Sequence, residues 1–240
     1  MAGKHDQIAA SLIHDILSGR YRAAERLPSE RDLATRFDAN RGAVREAMKK
    51  LEQIGLADVQ PGGARVKDQG EASLDVIGHM LAEGDLPDAT LVDQMMVVIN
   101  NLLSDAAEQS LEVASDAEIE HIRTLVTPLM QDNLDEEAHT LARFELMQSF
   151  MLASRNLPLR LIARTLFEQM LPNMEALHPY TKFDGDAYQA SAVRLDDALR
   201  LRDQEALRVT FTAFSNLNRE TVMRAIAAAG EDVGQEAVSQ

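Results

Sequence analysis

The chain has 240 residues, enough for two cores and short for three. Hydrophobic residues make up 45% and aromatics only 4%, a Leu-, Ala-, Ile-, Val- and Met-rich mixture that favours helices, and the absence of cysteine excludes disulfide, thiol-nucleophile and thiolate-metal chemistry. The formal charge of -15 divides unevenly, with 12 basic and 10 acidic side chains in residues 1–69 but 12 and 29 in the rest, so a nucleic-acid surface can lie only at the N-terminus.

Ile8, Leu12, Ile16 and Leu17 recur at helical spacing over about residues 5–18, and Gly19 supplies a left-handed stop. Leu27-Pro28-Ser29-Glu30-Arg31-Asp32 then reads as a helix entry with Ser29 as N-cap, and the short helix ends near Arg36-Phe37. Asp38-Ala39-Asn40 makes a tight turn. Asn40 caps a third helix from Arg41 to Ile54, closed by Gly55. Two short helices joined by a tight turn form a helix-turn-helix pattern. In the third helix Val44, Ala47, Met48 and Leu51 make the apolar stripe, while Arg41 and Arg45 share another face. Gly42 between them weakens the helix by roughly 1 kcal/mol against alanine but permits close backbone approach to a groove wall or phosphate. Two short apolar runs flank Pro61-Gly62-Gly63 and read as a hairpin, the wing.

The string LPSERDLATRFDANRGAVREAMKKLEQIGL resembles the signature of the GntR family of bacterial regulators, over nearly all of residues 5–67. The resemblance implies that Arg31, Arg41 and Arg45 carry most DNA contacts, with Asn40 and Gly42 at the helix entry and Gly62 and Gly63 near the minor groove. Arginine presents a rigid fork suited to guanine or phosphate. Which arginine reads a base and which holds phosphate stays open at this stage.

Apolar periodicity lapses around Lys67 to Ala72, so residues 1–69 form the head, 70–73 a linker and 74–229 a helical domain, with a frayed tail over 230–240. Helices are predicted over about 74–82, 88–109, 117–131, 136–154, 158–177, 186–202 and 204–229, and Ser115 with Glu118 makes a capping box. The fold class is mainly α, a winged helix-turn-helix followed by an all-helical bundle that dimerises and binds an effector. Phe150 to Asn156 and Asp197 to Asp203 carry a resemblance to the FadR branch of the family, whose helical halves bind carboxylic acids or fatty acyl-CoA. Leu74 to Ile77 and the stretch Asp93 to Leu103 point to its fatty-acid-responsive members.

Many members of that branch hold a metal through one Asp and three His. The corresponding positions here are Arg143, Met147, Ala192 and Phe214, none of them a metal ligand, and the six histidines form no pair at ligand spacing. No metal or other cofactor is expected. Arg143, Met147, Phe150, Met151, Met170, Met174, Phe214 and Asn218 are the candidate effector residues, though the Met and Phe side chains can equally well pack a core. An apolar, acyl-type carboxylate or thioester is the expected effector, with a small carboxylic acid of central metabolism as the alternative. Binding would release DNA through the segment 67–72.

Acidic residues such as Asp75, Asp93, Glu145 and Glu168 have no partnered base, nucleophile or phosphate-cradling loop, so the chain does not read as an enzyme. The reading is a homodimeric transcriptional regulator, a repressor type acting on a near-palindromic double-stranded operator. A helical scaffold that does not bind DNA is the rival. No stretch of about 18 apolar residues occurs, and a cytoplasmic location without membrane partners is expected.

Overall fold

The computed structural model describes residues 3–61, 63–131, 135–182 and 184–238, with only the backbone described for 136 and 234–238. The chain divides into two compact units, Met1–Asp85 and Leu86–Gln240. Among the described residues no helix is long and apolar enough to cross a membrane.

In the first unit α1 (Lys4–Leu17) buries Ile8, Leu12, Ile13 and Ile16, and Gly19 follows with φ +80°. Ser29 caps α2 (Glu30–Arg36) by accepting from the Asp32 N–H, and Asn40 caps α3 (Arg41–Gln53) by accepting from Ala43 N–H at 2.8 Å. Asp38 at φ +44° makes the reversal between them. The third helix points Val44, Ala47, Met48 and Leu51 into the core, leaving Arg41 and Arg45 in solvent. Strands β1 (Ala57–Gln60) and β2 (Gly63–Val66) pair antiparallel from Ala57 with Val66 to Gln60 with Gly63, making the wing.

Among the described residues one charged side chain is buried in this unit. Asp15 is 4% exposed and receives Arg20 at 2.9 Å and Arg36 at 2.6 Å. Burial alone would raise its carboxyl pKa, but the two guanidiniums outweigh it and hold the group below its ordinary range.

The stretch 70–73, read from the sequence as linker, is tied to the head. Ser73 N–H donates to Ile54 C=O at 2.9 Å and Lys67 N–H to Leu56 C=O at 3.0 Å. Beyond it α4 (Val76–Leu81) adds Val76, Ile77 and Met80 to the head's core. The compact unit therefore runs to Asp85, because these apolar side chains have a core to enter on the N-terminal side. The segment 67–72, expected to transmit a switch, is hydrogen-bonded to the head through Lys67 and followed at once by the Ser73 bond.

The second unit is all helix among its described residues. The helices are α5 (Ala89–Val113), α6 (Asp116–Val126), α7 (Glu136–Ala153), α8 (Leu157–Met170), α9 (Gly185–Leu201) and α10 (Gln204–Val238). Ser115 and Glu118 form the expected capping box on α6, and Asp88, Asp135, Asn156 and Asp184 cap four other helices. Helix α5 packs against α7, α8 and α10, while α6 and α9 close the other side. Two boundaries differ from the sequence reading. Helix α8 stops at Met170 and continues as a 3-10 turn over Leu171–Tyr180, because Pro172 has no N–H to give and its ring crowds the preceding turn. Helix α10 runs on to Val238, through Gly230 and Gly234 and past the fraying expected over 230–240, each glycine costing only about 1 kcal/mol.

Candidate nucleic-acid interface and interior cavity

The exposed side of the helix-turn-helix brings Arg31, Arg41 and Arg45 to one region of the head. Arg31, 77% exposed, lies 3.7 Å from Asp32. Arg41 makes no hydrogen bond or ion pair among the described residues, although its charge helps to lower the pKa of Glu30. Arg45 is held instead. Its Nε donates to Glu30 Oε1 at 3.3 Å and its Nη2 to Oε2 at 3.1 Å, and this pairing is the main reason the Glu30 carboxyl sits below its ordinary range. The Asn40 side-chain oxygen is committed to the α3 N-terminus, so that residue shapes the helix entry. A Cβ on Gly42 would meet Asn40 Oδ1 at 3.1 Å, a tight contact with the same oxygen that caps the helix.

At the wing, Gly63 has φ +142°, and a Cβ on it would come within 2.8 Å of the Arg26 guanidinium. The backbone conformation favours glycine at this position, while the arginine is the far end of a flexible side chain that can move aside. Gly62, the other expected tip residue, lies outside the described residues. Arg26 and Arg65 form an antiparallel bridge beside the strands, and Arg65 Nη1 donates to Ala24 C=O at 2.9 Å. Sequence reading missed this pair of cations. They are far apart in the chain, and only the bridge brings them together under the tip.

In the helical unit a cavity of about 210 Å³ opens between α5, α7, the end of α8 and α10. Of the candidate effector residues, Arg143, Met147, Met170, Met174 and Asn218 lie on its wall, with Phe144, Phe167 and Ile99 supplying apolar surface. A second cavity of about 360 Å³ shares Phe144, Met147 and Phe167 with the first and includes Met151. Phe150 and Phe214 lie elsewhere. Phe150 is fully buried edge-on against Phe211, with ring centroids 5.4 Å apart, and Phe214 packs edge-on against Tyr188 at 5.3 Å. Both rings pack in the core, and neither lies on the wall of either cavity.

Arg143 Nη1 donates to the Tyr188 hydroxyl at 3.0 Å and to Asn218 Oδ1, and Nη2 donates to Thr140 Oγ1 at 3.1 Å. Its guanidinium also lies over the Tyr188 ring, 4.9 Å from the centroid. Beside it His139 is 4% exposed and edge-on to Tyr188, and burial, with the Arg143 charge added, pushes its pKa down to about 4. Tyr188 was not legible as part of this cluster, because it comes from α9, whereas His139 and Thr140 stand one turn before Arg143 on α7, where helical spacing could have signalled them.

The four positions where related bundles hold a metal do not suit one. Arg143 is a hydrogen-bonded cation, Met147 a soft thioether, Ala192 a buried methyl and Phe214 a packed ring. Among the described residues no three His, Cys, Asp or Glu side chains gather as metal ligands.

Residues 4–66 match the family model described as "Bacterial regulatory proteins, gntR family". The regulator Mce2R of Mycobacterium tuberculosis is 33% identical over 93 residues, 38% of this chain and 39% of that protein, so the match spans well under half of the relative. The galactonate operon transcriptional repressor of Escherichia coli is 26% identical over 214 residues, 85% of this chain and 90% of the repressor. The structure of Lar, described as controlling the agr system of Listeria monocytogenes, superposes with a TM-score of 0.55 at 16% identity, covering 94% of this chain and 97% of that one, a likeness of fold.

Proposed function

We propose, from the premise that residues 4–66 are a gntR-family DNA-binding domain, that the chain is a sequence-specific transcriptional regulator whose operator affinity is set by a small molecule bound in the helical unit. One observation carries the reading. A doubly capped helix-turn-helix puts Arg31, Arg41 and Arg45 in solvent beside a glycine-tipped wing, within residues 1–69 that hold 12 basic against 10 acidic side chains, while the rest of the chain is strongly acidic. One small head makes few phosphate contacts, so the working form is a homodimer on a near-palindromic duplex in the cytoplasm.

The effector is an anion with an apolar body, seated with its head toward Arg143 and Asn218 and its body among Met147, Met170 and Met174. This agrees with the FadR-branch resemblance in chemistry and limits it in size. A cavity of roughly 150 Å³ accepts benzene, and ordinary small-molecule sites run from about 300 to 1,000 Å³, so 210 Å³ by itself suits a short or medium acyl chain, with the 360 Å³ cavity across the shared Phe144, Met147 and Phe167 as room for a longer one. A second reading, a small hydroxylated acid, is favoured by the polar groups of Thr140, Asn100 and Asn218 on the same wall and by the name of the galactonate repressor.

The test is a mobility-shift titration of the full chain on DNA selected from a random duplex pool, repeated with fatty acids of graded length and with short hydroxy acids, each with and without EDTA. Selective binding that Arg41→Ala weakens by about 1–3 kcal/mol, and that a C6–C12 acid relieves regardless of EDTA, is the expected result. A protein that selects no sequence is a scaffold. Relief by a hydroxy acid only when metal is present sinks the effector assignment.

A further inference from the structure

We propose that the two cavities of the helical unit form one channel with an arginine at each end, Arg143 and Arg160, and that the effector is a linear α,ω-dicarboxylate of medium length. The inference rests on the effector reading above. The cavities share Phe144, Met147 and Phe167, and the rings of Phe144 and Phe167 stand 5.6 Å apart, tilted by 57°, at that shared wall. Chain order gives the channel its direction. On α7 Arg143 borders the first cavity, Met147 both and Met151 the second, while on α8 Arg160 borders the second, Phe167 both and Met170 the first. The cavities therefore lie in series along two helices that run in opposite directions. From Phe167 at the throat back to Arg160 is seven residues, about 10 Å by the rise of an α-helix. Arg143 directly precedes Phe144 and borders only the first cavity.

Charge marks the two ends. The wall of the second cavity carries Arg160 and Arg164. Arg164 Nε donates to Glu168 Oε1 at 2.7 Å, so that pair is formally neutral. Arg160 is half-buried, and among the described residues its side chain makes no hydrogen bond or ion pair. Glu168 is the sole carboxylate on either wall among the described residues, in a chain whose net charge is -15. A guanidinium drawn partly out of water without a partner costs free energy that an incoming carboxylate gives back. At the other end Arg143 is oriented by the neutral oxygens of Tyr188, Asn218 and Thr140, so its charge too is left for an anion. Methionine and phenylalanine line the space between, which suits a chain of methylenes. A monocarboxylate satisfies one arginine and turns an apolar tail toward the other. A dicarboxylate of the right length satisfies both.

The experiment is titration calorimetry of the full chain with linear α,ω-dicarboxylates, monocarboxylates and ω-amino acids of about six to fourteen carbons, repeated on Arg160→Gln and Arg160→Lys. Thermal melting is run alongside. Monocarboxylate affinity should rise with length as methylenes are buried, whereas dicarboxylate affinity should pass through a maximum, because both ends must reach an arginine. At that maximum the dicarboxylate should bind about ten-fold or more tighter than the monocarboxylate of equal length. The ω-amino acid brings a cation to Arg160 and should bind more weakly than either. Arg160→Gln loses no contact of the fold, so it should melt with the wild type, keep monocarboxylate affinity and lose the dicarboxylate advantage. Arg160→Lys should keep part of that advantage. The proposal is overturned if no dicarboxylate outbinds its monocarboxylate, or if the advantage survives in Arg160→Gln. A chain that binds no acid of either kind would instead overturn the effector reading on which it rests.

Discussion

Arg45 in the head and Arg143 in the helical unit carry the same guanidinium into different settings. Arg45 stands mostly in solvent with a carboxylate on one edge, while Arg143 is half-buried among the hydroxyl and amide oxygens of Tyr188, Thr140 and Asn218. In water an ion pair is weak and exchangeable, so the surface arginine can hand its free edge to a partner at little cost. Away from water, neutral acceptors orient a guanidinium without cancelling its charge, and that charge is felt nearby, since it helps to push His139 down to about 4. On the function proposed above, the difference is between a surface that meets DNA and an interior that receives a small anion.

The sharpest way to break this comparison is to show that the interior is a core without a receptor. Phe150→Ala, in the ring pair with Phe211, should destabilise the helical unit by about 3–5 kcal/mol in a denaturant melt. If stability holds and only effector affinity falls, Phe150 belongs to the cavity wall after all.

His139 offers the next largest effect. Its pKa in the fold lies below the ordinary value of 6.5, so between about 6.5 and 4 the unfolded chain binds a proton that the folded chain refuses. The neutral ring's contribution is therefore present above pH 6.5 and lost as the pH falls toward 4, at most about 3 kcal/mol. Melts across that range should show the decline, and His139→Gln should flatten it. A profile that is the same in both proteins would mean the ring is hydrated and the interior wetter than drawn here.

A smaller effect tests the head. Asp15 is its buried charge, and Asp15→Asn should cost about 1–3 kcal/mol, less than a fully enclosed pair because Arg20 and Arg36 both reach solvent. The wild-type contribution is present above the ordinary carboxylate value of 3.8 and disappears as the pH falls through the depressed folded value. Equal acid stability of the two proteins would show that the pair does nothing for the fold.

The sequence by itself determined what depends on neighbours along the chain. Ser29, Asn40 and Ser115 announced their caps, Gly19 and Gly55 their left-handed stops, and the apolar stripe of α3 its buried face, because a cap, a stop and a stripe are each set within a turn or two of helix. The exposed arginines of the head followed from that stripe by elimination. What only the tertiary structure decided depends on side chains that meet from distant segments. Nothing in the spacing of Glu30 and Arg45 shows that a carboxylate sits on the back of the fork, and nothing local joins Arg26 to Arg65 at the wing. The apolar residues of the second unit read alike in sequence, and packing alone sent Phe150 and Phe214 into ring pairs and left Met147 and Met174 on a cavity wall. Hydrophobic burial is non-directional, so a pattern can say that a methionine or phenylalanine goes inside without saying whether it meets another side chain or an empty space.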